Sequence, residues 1–134
     1  MQNNSDCPPG LVLQNRFFDL PLDYAKPSQK TGVFARIVCA PGKENADLPY
    51  LVFFQGGPGS GSPRPTGNTG WIKRVLAEYR LVLLDQRGTG LSTPITAQTM
   101  RGFSSPEAQA DYLKHFRTDN IVRDAEAIDR KSVV

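Results

Sequence analysis

The residues whose types and spacing could do chemistry begin with Gln55-Gly56-Gly57-Pro58-Gly59-Ser60-Gly61-Ser62-Pro63, which directly follows the apolar run Tyr50–Phe54. Adjacent glycines at the C-terminal end of a strand let the backbone turn sharply and aim its amide N–H groups at a bound group. In acyl transfer such amides stabilise the oxyanion of a tetrahedral intermediate. An ordinary glycine-rich turn accounts for the same letters equally well. Phosphate-binding loops do not. A P-loop counted from Gly56 meets Gly61, but Ser62 and Pro63 stand where Lys and Ser/Thr are required. A dinucleotide fingerprint begun at Gly57 meets Gly59 and then Ser62 in place of the third glycine; begun at Gly59, it meets Gly61 and then Arg64.

A second segment, Asp85-Gln86-Arg87-Gly88-Thr89-Gly90-Leu91-Ser92-Thr93, follows the apolar run Leu81–Leu84. Asp85 and Arg87 have the types of an acid and a substrate clamp. The simpler reading is a strand-end turn held by local polar contacts, with glycines where φ must be positive. Cys7 and Cys39 lack metal-ligand spacing, and neither a metal nor a cofactor is implied.

The elements that must position these segments follow from periodicity. From Arg16 to Tyr24, Phe18, Leu20, Leu22 and Tyr24 alternate with Phe17, Asp19, Pro21 and Asp23, which predicts a half-buried strand. Pro21 cannot donate to a ladder, so this strand is expected at a sheet edge. A turn at Lys26–Lys30 is expected to lead to a second, antiparallel strand over Gly32–Ala40, with Val33, Ala35, Ile37 and Cys39 on one face. Tyr50–Phe54 and Leu81–Leu84 are unbroken apolar runs, the pattern of parallel strands covered on both faces. Between them Trp71, Ile72, Val75, Leu76 and Tyr79 recur at helical spacing behind Asn68 or Thr69 as N-cap, which completes a βαβ unit. Ser105 followed by Pro106 predicts a helix start, running to about Phe116. A further helix from Thr118-Asp119 carries Ile121, Ala125 and Ile128 as a stripe, and it is read as interrupted at the last residue.

Composition narrows the function classes. The 134 residues are 39% apolar and 22% charged, enough for one domain with a real core. The 16 basic and 13 acidic residues are interspersed, leaving no basic run to track a phosphate backbone, so nucleic acid is not an expected partner. No apolar stretch reaches the roughly 18 residues of a membrane span, and the start MQNNSDCPPG does not read as a signal peptide. The expectation is a soluble cytoplasmic protein with two reduced thiols.

Gly56-Gly57-Pro58-Gly59 after one strand and Asp85-Gln86-Arg87-Gly88-Thr89-Gly90-Leu91-Ser92 after the next resemble the prolyl aminopeptidase (proline iminopeptidase) family of α/β-hydrolase serine peptidases. Ser62-Pro63-Arg64-Pro65 and Ile121-Val122-Arg123-Asp124-Ala125-Glu126 resemble a larger branch of it, and the likeness runs in order over roughly residues 15–130. Many relatives have His where Gln55 stands. The resemblance implies the N-terminal half of an α/β-hydrolase fold over residues 1–134, with an antiparallel strand pair, a parallel βαβ unit and helices. It implies that backbone amides of Gly56 and Gly57 serve as oxyanion donors, that Asp85–Ser92 supports the site, and that the substrates are peptides with a free N-terminus. It implies no cofactor or metal, and it leaves the oligomeric state open.

The family's nucleophile lies in a Gly-x-Ser-x-Gly elbow, followed in chain order by Asp and then His. No serine of this sequence has glycine at both flanking positions; Ser92 has Gly90 before it but Pro94 after. The single histidine, His115, precedes the place where the elbow belongs and is read as a surface or partly packed residue. The expectation is therefore a fragment of a serine aminopeptidase, inactive by itself. One half of a split hydrolase, or a non-catalytic binding protein on the same fold, are the alternatives.

Overall fold

Alternation from Val12 to Asp23 produces the first strand, β1, with Leu13, Phe18, Leu20 and Leu22 buried and Phe17 left 70% exposed. This computed structural model describes residues 7–56 and 59–133, with side chains as far as Lys131. The elements that follow are β2 (Lys26–Cys39), β3 (Tyr50–Phe54), α1 (Gly70–Leu76), β4 (Arg80–Asp85), α2 (Ala97–Met100), α3 (Pro106–Leu113), a 3-10 turn (Lys114–Phe116) and α4 (Thr118–Val133). The strands form one sheet in the order β1-β2-β4-β3. β1 pairs antiparallel with β2, β2 antiparallel with β4, and β3 parallel with β4. The result is a mixed α/β sheet flanked by helices, with the strand bearing Pro21 at one edge as its missing donor requires.

Lys26–Lys30 is not a turn. These residues pair with β1, and the reversal occurs at Tyr24-Ala25, where the Ala25 N–H donates to Asp23 Oδ1 at 2.9 Å. The side chain of Asp23 closes this turn two residues on, so the polar letters after it are free to extend the ladder. β2 is buried on both faces from Val33 to Cys39, not on one.

Two cores explain that burial. On one side α4 lays Ala125 and Ile128 against Phe18, Leu20, Val33, Ala35, Ile37, Val82 and Leu84. On the other, α1 lays Ile72, Val75 and Leu76 against Leu11, Leu13, Val38, Leu81 and Leu83. Successive residues of β4 therefore serve opposite cores, which is why its apolar run has no alternation. Full burial of each such leucine or valine stabilises by about 1.5–3 kcal/mol. β3 has the same composition but is only half-buried, because it has a neighbouring strand on one side among the described residues.

Ser105 caps α3 as expected, accepting from the Ala108 N–H at 3.1 Å, with Pro106 in the first turn. The last turn of that helix tightens to 3-10 geometry and contains His115. The short α2 was not expected; Thr96 and Thr99 build it by capping each other's backbone. Thr69 takes the N-cap position of α1 but makes no side-chain cap.

Candidate functional site

The two glycine-bearing segments emerge side by side from the C-terminal ends of the parallel strands β3 and β4, where ligand sites of open α/β sheets form. Gly56 is exposed in the bend after β3, and a Cβ added to it would meet nothing within 4 Å. Gly57 lies outside the described residues.

What holds this bend is the second loop. Asp85, the last residue of β4, is 5% exposed and serves both loops at once. Its Oδ1 accepts the Ser62 N–H at 2.8 Å and its Oδ2 the Leu91 N–H at 2.9 Å. Ser62 Oγ donates to the Leu84 carbonyl at 2.6 Å. At the other end of the bend, Gln86 Nε2 donates to the Gln55 carbonyl at 3.1 Å, while Gln86 Oε1 is buried without a partner among the described residues. Gly61 and Gly90 pack back to back over the Asp85 carboxylate: a Cβ on Gly61 would stand 3.0 Å from Gly90 Cα and 2.9 Å from Asp85 Oδ1. Asp85 is thus a buried acceptor of backbone amides rather than an acid facing a substrate.

Arg87 is likewise no substrate clamp. Its side chain is fully enclosed and all five N–H bonds are used. Nε and Nη2 grip Asp124 side-on at 2.7 and 2.6 Å, Nη2 also reaches the Pro21 carbonyl at 3.0 Å, and Nη1 reaches the carbonyls of Leu22 and His115 at 2.8 and 2.9 Å. The Tyr24 hydroxyl donates to Asp124 Oδ1 at 2.6 Å. Burial first, and then the Asp124 carboxylate, push the Tyr24 phenol well above the usual tyrosine range. This network ties β1, the loop after β4, the 3-10 turn and α4 together. Tyr24 and Asp124 were named from the sequence only within a strand pattern and a family motif, not as partners of Arg87, although an Asp three residues after Ile121 on the apolar stripe was a usable signal.

Ser92 is 2% exposed, with its Oγ accepting the Phe34 N–H at 2.9 Å and donating to the Asp85 carbonyl, so it is structural. His115 is half-buried and contributes its carbonyl, not its ring, to Arg87 and Asn120. Burial raises the pKa of the Cys39 thiol. Among the described residues no cluster of His, Cys, Asp or Glu could hold a metal ion, and no helix is long and apolar enough to cross a membrane. A surface depression of about 860 Å³, lined by Arg16, Glu44, Tyr50, Arg80 and Asp129, lies at the opposite ends of β3 and β4. There Arg80 Nη2 is already taken by the carbonyls of Lys43, Glu44 and Ala46.

The glycines make a local prediction. Gly90→Ala should destabilise by at least about 2 kcal/mol, because φ is +52° and the added methyl overlaps Asp85 and Gly61. Gly56→Ala should stay within about 0.5 kcal/mol of the parent, since its methyl points into open space. The relative rates at which a protease clears the two variants check both.

No protein-family model matches the chain. It is similar to the proline iminopeptidase of Aeromonas sobria, 50% identical over 121 residues that make up 89% of this chain and 28% of that protein. It is also similar to proline iminopeptidase aneH of Aspergillus aculeatus, 45% identical over 114 residues, 83% of this chain and 25% of the relative. The chain thus spans about a quarter of the length of the curated relatives it matches. Set beside the paired glycine loops at the ends of β3 and β4, these identities support the assignment of the chain to the prolyl aminopeptidase (proline iminopeptidase) family.

Proposed function

We propose that residues 1–134 form the N-terminal part of an α/β-hydrolase domain that removes an N-terminal residue, proline in the first instance, from peptides. Backbone amides of the Gly56-Gly57 turn receive the oxyanion when a serine attacks the carbonyl of that residue. Such donors act because they are already aimed where charge develops, at no reorganisation cost in the step itself. The observation that carries this reading is the fastening of the bend after β3 at both ends, by Asp85 and Gln86. The names of the two relatives support the substrate class.

Within the 134 residues there is no Gly-x-Ser-x-Gly and no histidine C-terminal to one. The nucleophile and its base are therefore contributed by other residues of the functional protein, and the amides alone do not turn over substrate. Two expected outcomes test the proposal. A polypeptide of these 134 residues gives no turnover of a proline arylamide. A chimera carrying residues 12–131 in place of the matching stretch of the Aeromonas sobria enzyme does hydrolyse it, within about tenfold of that enzyme. A folded but inert chimera overturns the proposal, as does inhibitor-sensitive turnover by the polypeptide alone.

A further inference from the structure

We infer that Asp85 and Gln86 are positioning residues that set the Gly56-bearing turn for catalysis, one at each end of it. The inference rests on the oxyanion reading above and goes beyond it, because it identifies which side chains decide where those amides point. Neither residue faces a substrate: both are 5% exposed, Asp85 accepts from two backbone N–H groups, and Gln86 Nε2 donates to a backbone carbonyl. The turn leaves β3 at Gln55, whose carbonyl is held by Gln86 Nε2 at 3.1 Å. It returns at Ser62, whose N–H is held by Asp85 Oδ1 at 2.8 Å. Between these two ties, Gly56 has no packing contact of its own that a side chain would displace. The two ties hold the described ends of the bend.

Asp85 is suited to this by having two equivalent acceptors and no donor. Two N–H groups converge on it from different loops, Ser62 from the first and Leu91 from the second. Each oxygen of the carboxyl group accepts one of them, and bonds of backbone N–H groups to a carboxylate are short and strong. Gly61 and Gly90 allow the loops to close over it, and they leave no space for a longer side chain. Asparagine has the same shape but must turn an NH₂ toward one of the two N–H groups. Asp85→Asn therefore breaks one tie without opening a cavity. Gln86→Met does the same at the other end, and it also removes the buried Oε1 that has no partner among the described residues, so it should fold well.

Displacing a catalytic group by about 1 Å can cost on the order of 10²-fold in rate. In the chimera described above, Asp85→Asn should lower kcat about 10- to 100-fold with KM changed less than about threefold, and Gln86→Met should act in the same direction more weakly. Amide hydrogen exchange by mass spectrometry, on the chimera and on the 134-residue chain, supplies the second readout. Exchange across residues 55–62 should quicken about tenfold or more in Asp85→Asn, while Leu81–Leu84 stay as protected as in the parent. A kcat per folded molecule that stays at the parent value overturns the inference, as does unchanged exchange across the turn. Faster exchange throughout β4 also overturns it, because that marks Asp85 as a support of the whole sheet. An inert parent chimera overturns the oxyanion reading instead, and exchange in the 134-residue chain then decides the ties separately.

Discussion

Asp124→Ala is expected to lower stability by about 3–5 kcal/mol, the cost of leaving a buried charge without its partner. Arg87 and Asp124 have side-chain exposures of 0% and 1%, so no water is at hand to solvate the guanidinium once the carboxylate is gone. The three carbonyls of Pro21, Leu22 and His115 still accept from it, but they carry no net charge. The Tyr24 hydroxyl loses its acceptor in the same step. Folded domains are stable by about 5–15 kcal/mol, so a chimera with the Aeromonas sobria enzyme that carries the replacement should sit near the unfolding threshold. The double replacement Arg87→Met with Asp124→Leu should be less destabilised than Asp124→Ala, since removing both charges removes the desolvation penalty. Some cost remains, because those three carbonyls are then left without a donor. Urea unfolding of the variants, each made in the chimera, checks this. A shift of less than about 1 kcal/mol in Asp124→Ala would show that the pair is not what joins α4 to β1.

A polypeptide of these 134 residues should elute from a sizing column as oligomers or aggregates and melt without one sharp transition, and Phe54→Lys should move it strongly toward monomer. The interior strands β2 and β4 have partners on both sides, whereas Leu51–Phe54 of β3 have a strand only on the β4 side among the described residues. Beside that edge, Val52, Phe54, Val122 and Ala125 line an apolar groove of about 320 Å³ with Glu126 and Asp129 at its rim. Phe54 is 42% and Val122 49% exposed. An edge of that kind is a template for a further strand from any chain that offers one. A lysine on it places a charge where a second sheet would have to dock, which is how natural edges are protected. Light scattering after size exclusion distinguishes the states. A monodisperse monomer with one cooperative transition would show that the groove is closed well enough without a partner.

The sequence by itself determined most of the local elements and the family resemblance. Alternation over Phe18, Leu20 and Leu22, the unbroken run Leu81–Leu84, and the stripe Ile121, Ala125 and Ile128 each record which neighbours a residue meets within a few positions, and all of these are buried except Ala125, which is half-buried. Pro21 likewise placed β1 at an edge through a single missing donor. The Gly56-Gly57 and Asp85–Ser92 segments were legible as a pair of strand-end turns, and their letters pointed to relatives that the comparisons bear out. Tertiary structure alone decided what those letters do. The ion pair between Arg87 and Asp124 spans 37 residues, and the tie from Asp85 to Ser62 spans 23. No local period records contacts at such separations. The hairpin reversal fell at Tyr24-Ala25 rather than among the polar residues after it, because pairing with β1 outweighed their turn preference. The order β1-β2-β4-β3 left β3 half-buried although its composition matches that of β4. Hydrophobic letters specify that a strand is covered, but the position of that strand in the sheet specifies by what, and only the folded chain sets that position.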